Sequence, residues 1–351
     1  MTEHNPGHRQ KLRSGHDDHL EALTPLDVGA LGSVDGLLRA MSRTAFGGRR
    51  LGEAADVLEA MVRDERCLKV VTVAGAMTIA KQGLVLCEMI DRGWVQAVVA
   101  TGALMTHGFV EGAGMTHFKH RRGMDDTELF DKGYNRVYDT LELEQNLDDA
   151  EKIVSETLDG IPESTTLCSY VITEALGGYL ARNVPGRAVL KSAVARGVPV
   201  YVPAFTDSEL GLDVAVYNRR RAMQGKARRP FDPFLDLEAY TDQIRAAERI
   251  GIFTIGGGVP RNWAQQVGPY LDISQKRLGV EEPFRRFHYG VRICPEPDHW
   301  GGLSGCTYSE GVSWGKFVPE SEGGRFAEVM VDATIGWPLV VRAVIERMGR
   351  G

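Results

Sequence analysis

The chain has 351 residues, 43% of them hydrophobic and 25% charged, and carries a formal net charge of −6. These proportions describe a globular protein long enough for a sizeable core, and the acidic balance gives no electrostatic support for a nucleic-acid partner. No uninterrupted apolar run approaches the roughly 20 residues that cross a bilayer, and the polar N-terminus lacks the apolar stretch of a secretion signal, so a cytoplasmic protein without a membrane partner is expected.

Residues 1–30 read as a flexible polar tail, whose His4, His8, His16 and His19 show little periodicity and suggest no metal site. Residues 31–351 read as one domain, with 31–66 forming helices packed onto it. From residue 68 the chain alternates. A β-branched run at 68–74 suits a buried strand, an amphipathic stretch follows at 79–91, and 95–101 forms the next strand. Further on come a helix at 188–196, a strand at 198–203, a helix at 235–249, a strand at 252–255, a strand at 327–331 and a helix at 338–348. The arginine-rich stretch 218–232 reads as a surface loop. Continuous apolar strands alternating with helices predict an α/β fold, a doubly wound and mostly parallel sheet of Rossmann-like type.

The five cysteines are odd in number and none are spaced C-x-x-C, so they read as reduced, partly buried thiols. His117 and His120 could ligate a metal with His107, but no carboxylate or thiolate stands at a fixed spacing from them, and no metal is expected. The basic clusters at 119–122, 219–221 and 228–229 read as solvated faces.

In an open parallel sheet, ligands bind beyond the carboxyl ends of the strands. Three segments stand there: Thr101-Gly102-Ala103, the triplet Gly256-Gly257-Gly258 leading to Pro260, and Asp332-Ala333. Glycine admits a phosphate close to the backbone, and a helix N-terminus then supplies amide donors. Neither G-x-G-x-x-G nor the phosphate-loop pattern is present.

Only ten of the 41 basic residues are lysines, and one of them, Lys316, stands in Gly311-Val-Ser-Trp-Gly-Lys316 between Gly315 and Phe317. Crowding an ammonium with Trp314 and Phe317 disfavours its charged form, and a neutral lysine can attack a carbonyl or imine carbon. On these residues alone, a surface lysine lying past two aromatics is the simpler reading, and the neighbouring motifs reverse that preference.

The stretch Ser309-Glu-Gly-Val-Ser-Trp-Gly-Lys316 closely resembles the active-site lysine motif of deoxyhypusine synthases. Other blocks follow in family order over residues 30–348: Gly133-Tyr-Asn-Arg136, Pro203-Ala-Phe-Thr-Asp-Ser-Glu-Leu-Gly211, the glycine triplet and Val331-Asp-Ala333. The resemblance implies a Rossmann-like domain that binds NAD through Thr101, Gly102, Ala103, Asp207, Gly256, Gly257, Asp332 and Ala333. It also implies transfer of an aminobutyl group from spermidine, through an imine on Lys316, to an acceptor amine. Glu310 matches an acid that contacts the polyamine, and Trp314 the aromatic that packs its chain. Homotetramers with sites shared across an interface are implied as well.

The pattern breaks in the polar pocket. Thr106 and His107 replace two glutamates, Asn262 and Gln266 replace a histidine and an asparagine, and a family aspartate survives only as Asp213, one position late. The acidic segment before the lysine motif is replaced by residues 298–304, including Trp300, a further candidate for substrate contact. The chain thus resembles the divergent bacterial-type branch, and the acceptor is either the lysine of translation factor five-A or putrescine, giving homospermidine. His107 becomes a candidate acid–base group or a plain helix-start histidine. The competing readings are a non-catalytic protein that binds NAD or polyamine, and an amine dehydrogenase.

Overall fold

A computed structural model describes residues 13–349. Residues 1–12 of the expected tail, with His4 and His8, lie outside the described residues, while residues 13–30 are almost wholly exposed. Two helices, α1 (Val34–Met41) and α2 (Phe46–Arg63), precede β1 (Cys67–Val73), α3 (Gly83–Asp91), β2 (Ala97–Ala100) and α4 (Gly102–Gly112). A small excursion follows, with β3 (Phe118–Lys119), α5 (Asp126–Asp131), β4 (Tyr134–Val137) and β5 (Thr140–Leu143). Helices α6 (Glu144–Asp159), α7 (Ser169–Asn183) and α8 (Val189–Ala195) lead to β6 (Val200–Tyr201), α9 (Glu209–Met223) and α10 (Phe234–Ala246). The chain closes with β7 (Arg249–Ile255), α11 (Gly258–Gln265), α12 (Val267–Leu278), β8 (Phe287–Ile293), α13 (Tyr308–Ser313), β9 (Arg325–Val329) and α14 (Ala333–Met348).

Six strands form a parallel sheet in the order β6-β2-β1-β7-β8-β9. The apolar runs of β1 and β7 lie at its centre because only a strand covered on both faces can bury side chains of both orientations. The larger core covers one face with α2, α3, α4, α7, α8, α9 and α14, and a smaller core of α10, α11 and α12 covers the other. The α/β, doubly wound reading therefore holds. A separate antiparallel sheet, β3-β5-β4, forms beside it.

The N-terminal helices dock as expected, and a buried cation pins them. Arg347 of α14 places Nε 2.6 Å from Asp35 Oδ1 and Nη1 2.7 Å from Asp56 Oδ1. The structure corrects several boundaries. The helix expected at 79–91 begins only at Gly83, the strand at 198–203 shrinks to Val200–Tyr201, and the helix at 235–249 stops at Ala246 because Arg249 already pairs with Cys67 in the sheet. The stretch 218–232 is not a plain loop: α9 runs to Met223, and Arg221 and Arg229 are buried. Arg229 donates to the carbonyls of Leu158, Ile161, Pro162 and Thr165, so part of that basic cluster is structural cement and not a solvated face.

Candidate active site

The ends of β1, β2 and β7 meet at the carboxyl edge of the sheet. Thr101 caps α4 by accepting from the Leu104 amide, and its hydroxyl donates to the Gly75 carbonyl at 2.8 Å. Gly256 adopts φ of +76°, which glycine alone takes freely, and a Cβ there would crowd Ala74 at 3.2 Å. Gly102 has no room for a Cβ because Ser208, the cap of α9, packs against it. This contact draws Asp207, exposed in the preceding turn, to the start of α4. Asp332 caps α14 by accepting from the Thr334 amide at 2.7 Å, and the buried Ala333 opens that helix. Glycine turns and helix N-termini along one edge of the sheet offer backbone donors to an anionic group.

The lysine half of the site is built on α11. Gly257 caps this helix and packs against Ser304, whose hydroxyl accepts from the Gly258 amide at 2.9 Å. Arg261, 1% exposed, donates from Nη2 to the Cys306 carbonyl at 2.6 Å and from Nη1 to the Leu303 carbonyl at 3.2 Å. These bonds hold the segment between β8 and α13 against the triplet. One turn along, Asn262 Oδ1 accepts from Lys316 Nζ at 3.3 Å. Lys316 is buried, and that burial lowers its pKa, with the Arg261 guanidinium adding to the effect while Cys306 and Glu310 oppose it.

Trp314 is the aromatic beside the ammonium, its ring centre 5.9 Å from Nζ and its surface 66% exposed. Phe317 does not share that role: its ring is buried among Phe287, Tyr308 and Phe326. Glu310, exposed on α13, is the nearby acid. Gln266 lies exposed at the junction of α11 and α12, and Trp300 stands 71% exposed in a short turn with its ring against His299. Neither makes a hydrogen bond to the lysine.

His107 and Asp213 lie elsewhere. Both are on helices of the larger core, α4 and α9, whereas Lys316 and α11 close the smaller core on the opposite face. His107 sits within α4, not at its start, and its Nδ1 lies 3.0 Å from Oε2 of Glu142. His117 Nε2 approaches the same oxygen at 2.6 Å. The carboxylate missing from the histidine pattern is thus supplied by β5, and His107, His117 and Glu142 form a cluster with metal-ligand chemistry that spacing did not reveal. Asp213 is 6% exposed, and burial pushes its carboxyl up to about 7, helped by Glu209 and Glu151. The five cysteines are all free thiols.

Arg261, Ser304 and Glu142 were not found by sequence reasoning. For Arg261, the signal was a cation in the first turns of the helix directly after the triplet; the other two carried none.

The sequence matches the deoxyhypusine synthase family over residues 36–344. It is 31% identical over 328 residues to "Probable deoxyhypusine synthase 2" of Methanosarcina acetivorans, covering 92% of this chain and 89% of that one. It is 33% identical over 319 residues to "Probable deoxyhypusine synthase 1" of the same organism, covering 91% and 92%. A "Deoxyhypusine synthase-like protein" of Chlorobaculum parvum is 29% identical over 309 residues, covering 87% and 84%. Among solved structures, a "putative deoxyhypusine synthase" from Entamoeba histolytica shares the fold with a TM-score of 0.60 at 12% identity, covering 92% of this chain and 97% of that one.

Proposed function

The chain belongs to the deoxyhypusine synthase family, and from that premise we propose that it is a transferase moving the aminobutyl group of spermidine to an acceptor amine. The observation that carries the reading is Lys316, a buried lysine whose pKa is lowered and whose Nζ is aimed by Asn262. A neutral amine is the form that can attack an imine carbon, so burial prepares the nucleophile before substrate arrives. Attack would join Nζ to the four-carbon unit and release diaminopropane; a second amine would then displace Lys316. Trp314 would pack the alkyl chain, and Glu310 would face an ammonium.

NAD, the cofactor of this reading, would accept a hydride from the substrate carbon and return it. Thr101, Gly102, Ala103, Asp207, Gly256, Gly257, Asp332 and Ala333 would hold it, and the crowded glycines of this edge suit that role. His107 and Asp213 lie across the sheet from Lys316, so in this reading the full site would be assembled from two copies, with the lysine half from one and the histidine half from the other. Large apolar side chains exposed around the lysine half, among them Val259, Trp300, Leu303 and Trp314, fit such a homotetramer. The lost glutamates favour a small acceptor, putrescine giving homospermidine, over the lysine of translation factor five-A.

The test is incubation with NAD and spermidine, with and without putrescine, followed by mass spectrometry of the amines. Diaminopropane with homospermidine, both lost in Lys316→Ala, is the expected result. Diaminopropane without homospermidine moves the acceptor to a protein lysine. Steady accumulation of NADH without group transfer would make the protein an amine dehydrogenase and sink the proposal.

A further inference from the structure

Glu142 is a buried carboxylate in a position that no motif marks. Its Oε2 receives His107 Nδ1 at 3.0 Å and His117 Nε2 at 2.6 Å, while Oε1 accepts from Asn146 Nδ2 at 2.8 Å and the Leu143 amide at 3.0 Å. Burial alone would raise its pKa, but His107, His117 and Asn146 together hold it down at about 2. An ionised carboxylate can only accept, so each ring must present an N–H to it. The far side of His117 confirms the assignment: Lys81 Nζ lies 2.8 Å from Nδ1, and an ammonium can only donate. Nδ1 of His117 therefore carries a lone pair, and both of its nitrogens are satisfied.

His107 is different. With Nδ1–H directed at Glu142, the neutral ring keeps its lone pair on Nε2, and that atom has no hydrogen-bond partner among the described residues. The side chain is 17% exposed, so a ligand can reach it. Two contacts fasten α9 beside this ring: the Leu210 amide donates to Thr106 Oγ1 at 3.1 Å, and Ser208 packs on Gly102. The charged groups facing the ring are Glu142 from β5, Glu209 from α9 and, through His117, Lys81 with Glu111 at 3.3 Å; Glu144 and Asp148 act on Glu209 in turn.

Three ligand atoms this close could also hold a metal ion. The contact lengths argue otherwise. Two ligands at about 2.0 Å from a tetrahedral zinc stand roughly 3.3 Å apart, whereas both histidine–carboxylate contacts are shorter, at 3.0 and 2.6 Å. A metal on His117 Nε2 would also require an N–H at Nδ1, directly against the Lys81 ammonium.

We propose that Glu142 is the positioning residue that makes His107 the acid–base group of the amine site, an inference that rests on the polyamine reading above. His107 Nε2 takes a proton from a substrate ammonium, leaving a neutral amine and an imidazolium with Nδ1–H still on Glu142. The proton returns to the product amine, so charge and atoms balance over the cycle. His117 and Lys81 hold the carboxylate in place without entering the transfer.

The test uses the full chain as wild type, Glu142→Gln, Glu142→Asp and His107→Gly. Carbethoxylation by diethyl pyrocarbonate, mapped by mass spectrometry, reads free imidazole nitrogens without requiring activity: His107 should react and His117 should not. Glu142→Gln should lower kcat for amine transfer at least 30-fold with KM changed less than threefold, and should alter the pH profile of kcat. Glu142→Asp should recover part of that loss, and imidazole should restore turnover to His107→Gly. Unchanged kcat and pH profile in a folded Glu142→Gln would reduce the triad to scaffolding. Stoichiometric metal in the wild type that is lost with Glu142 would make it a ligand set. If the wild type turns over no polyamine, the amine role fails with that reading, and the carbethoxylation pattern alone decides whether the triad presents Nε2 of His107.

Discussion

Lys316 Nζ and Asn262 Oδ1 lie 3.3 Å apart, with the lysine buried and its neighbour on the helix that begins at the glycine triplet. A neutral amide in this place aims the amine without supplying the negative charge that would keep it protonated. Asn262→Asp should therefore stabilise the ammonium, and since one pKa unit is about 1.4 kcal/mol, a tenfold or greater loss of imine formation at neutral pH is expected. The loss should shrink as pH rises. Borohydride trapping of the substrate on Lys316, quantified against pH, checks this, and an unchanged profile would remove Asn262 from the site.

Lys316→Met should abolish amine transfer while raising stability. The sign follows from the lowered pKa: between the folded value and the ordinary 10.5, the unfolded chain binds a proton that the folded chain does not, so wild-type stability rises with pH across that window. The variant has no such dependence. Denaturant titrations should thus show Lys316→Met more stable near neutrality, with the gap closing toward the top of the window.

Asp213 predicts the opposite slope. Its carboxyl moves from 3.8 to about 7, so from pH 4 to 7 the folded protein holds a proton that the unfolded chain releases, and stability contributed by this group is lost through that interval. Asp213→Asn should match wild type near pH 4 and exceed it above pH 7 by roughly 2 kcal/mol, half of what the full displacement converts to. Thermal unfolding at the two pH values measures the difference.

Gly257→Ala should weaken NAD without unfolding the protein. The new Cβ would meet Ser304 Cα at 2.5 Å, pushing the segment before α13 off the triplet. A rise of at least tenfold in the Kd for NAD, with unaltered far-UV circular dichroism, is expected. Unchanged affinity would move the cofactor away from this edge.

Legibility in the sequence followed the locality of the cause. The strands at β1, β2 and β7 could be read because short, largely apolar, β-branched runs have few other uses in a globular chain. Strand β8, Phe287–Ile293, escaped notice because His288, Tyr289, Gly290 and Arg292 interrupt its pattern. Its Arg292 is tolerated within the sheet because Glu328 of β9 lies 2.9 Å away. The arginines after residue 218 suggested a loop because the carbonyls that satisfy Arg229 come from residues about 65 to 70 positions earlier.

The sequence by itself determined the α/β class, the glycine edge and the lysine motif, since each rests on neighbouring residues whose conformations and chemistry are intrinsic. The tertiary structure decided which groups meet. It turned Phe317 into the core and left Trp314 at the lysine, placed Asn262 on Nζ, and put His107 and Asp213 on the other face of the sheet. It also brought Glu142 to His107 across 35 positions of chain. Contacts of that kind depend on how layers pack, and a periodic pattern records which side of an element is buried but not what it is buried against.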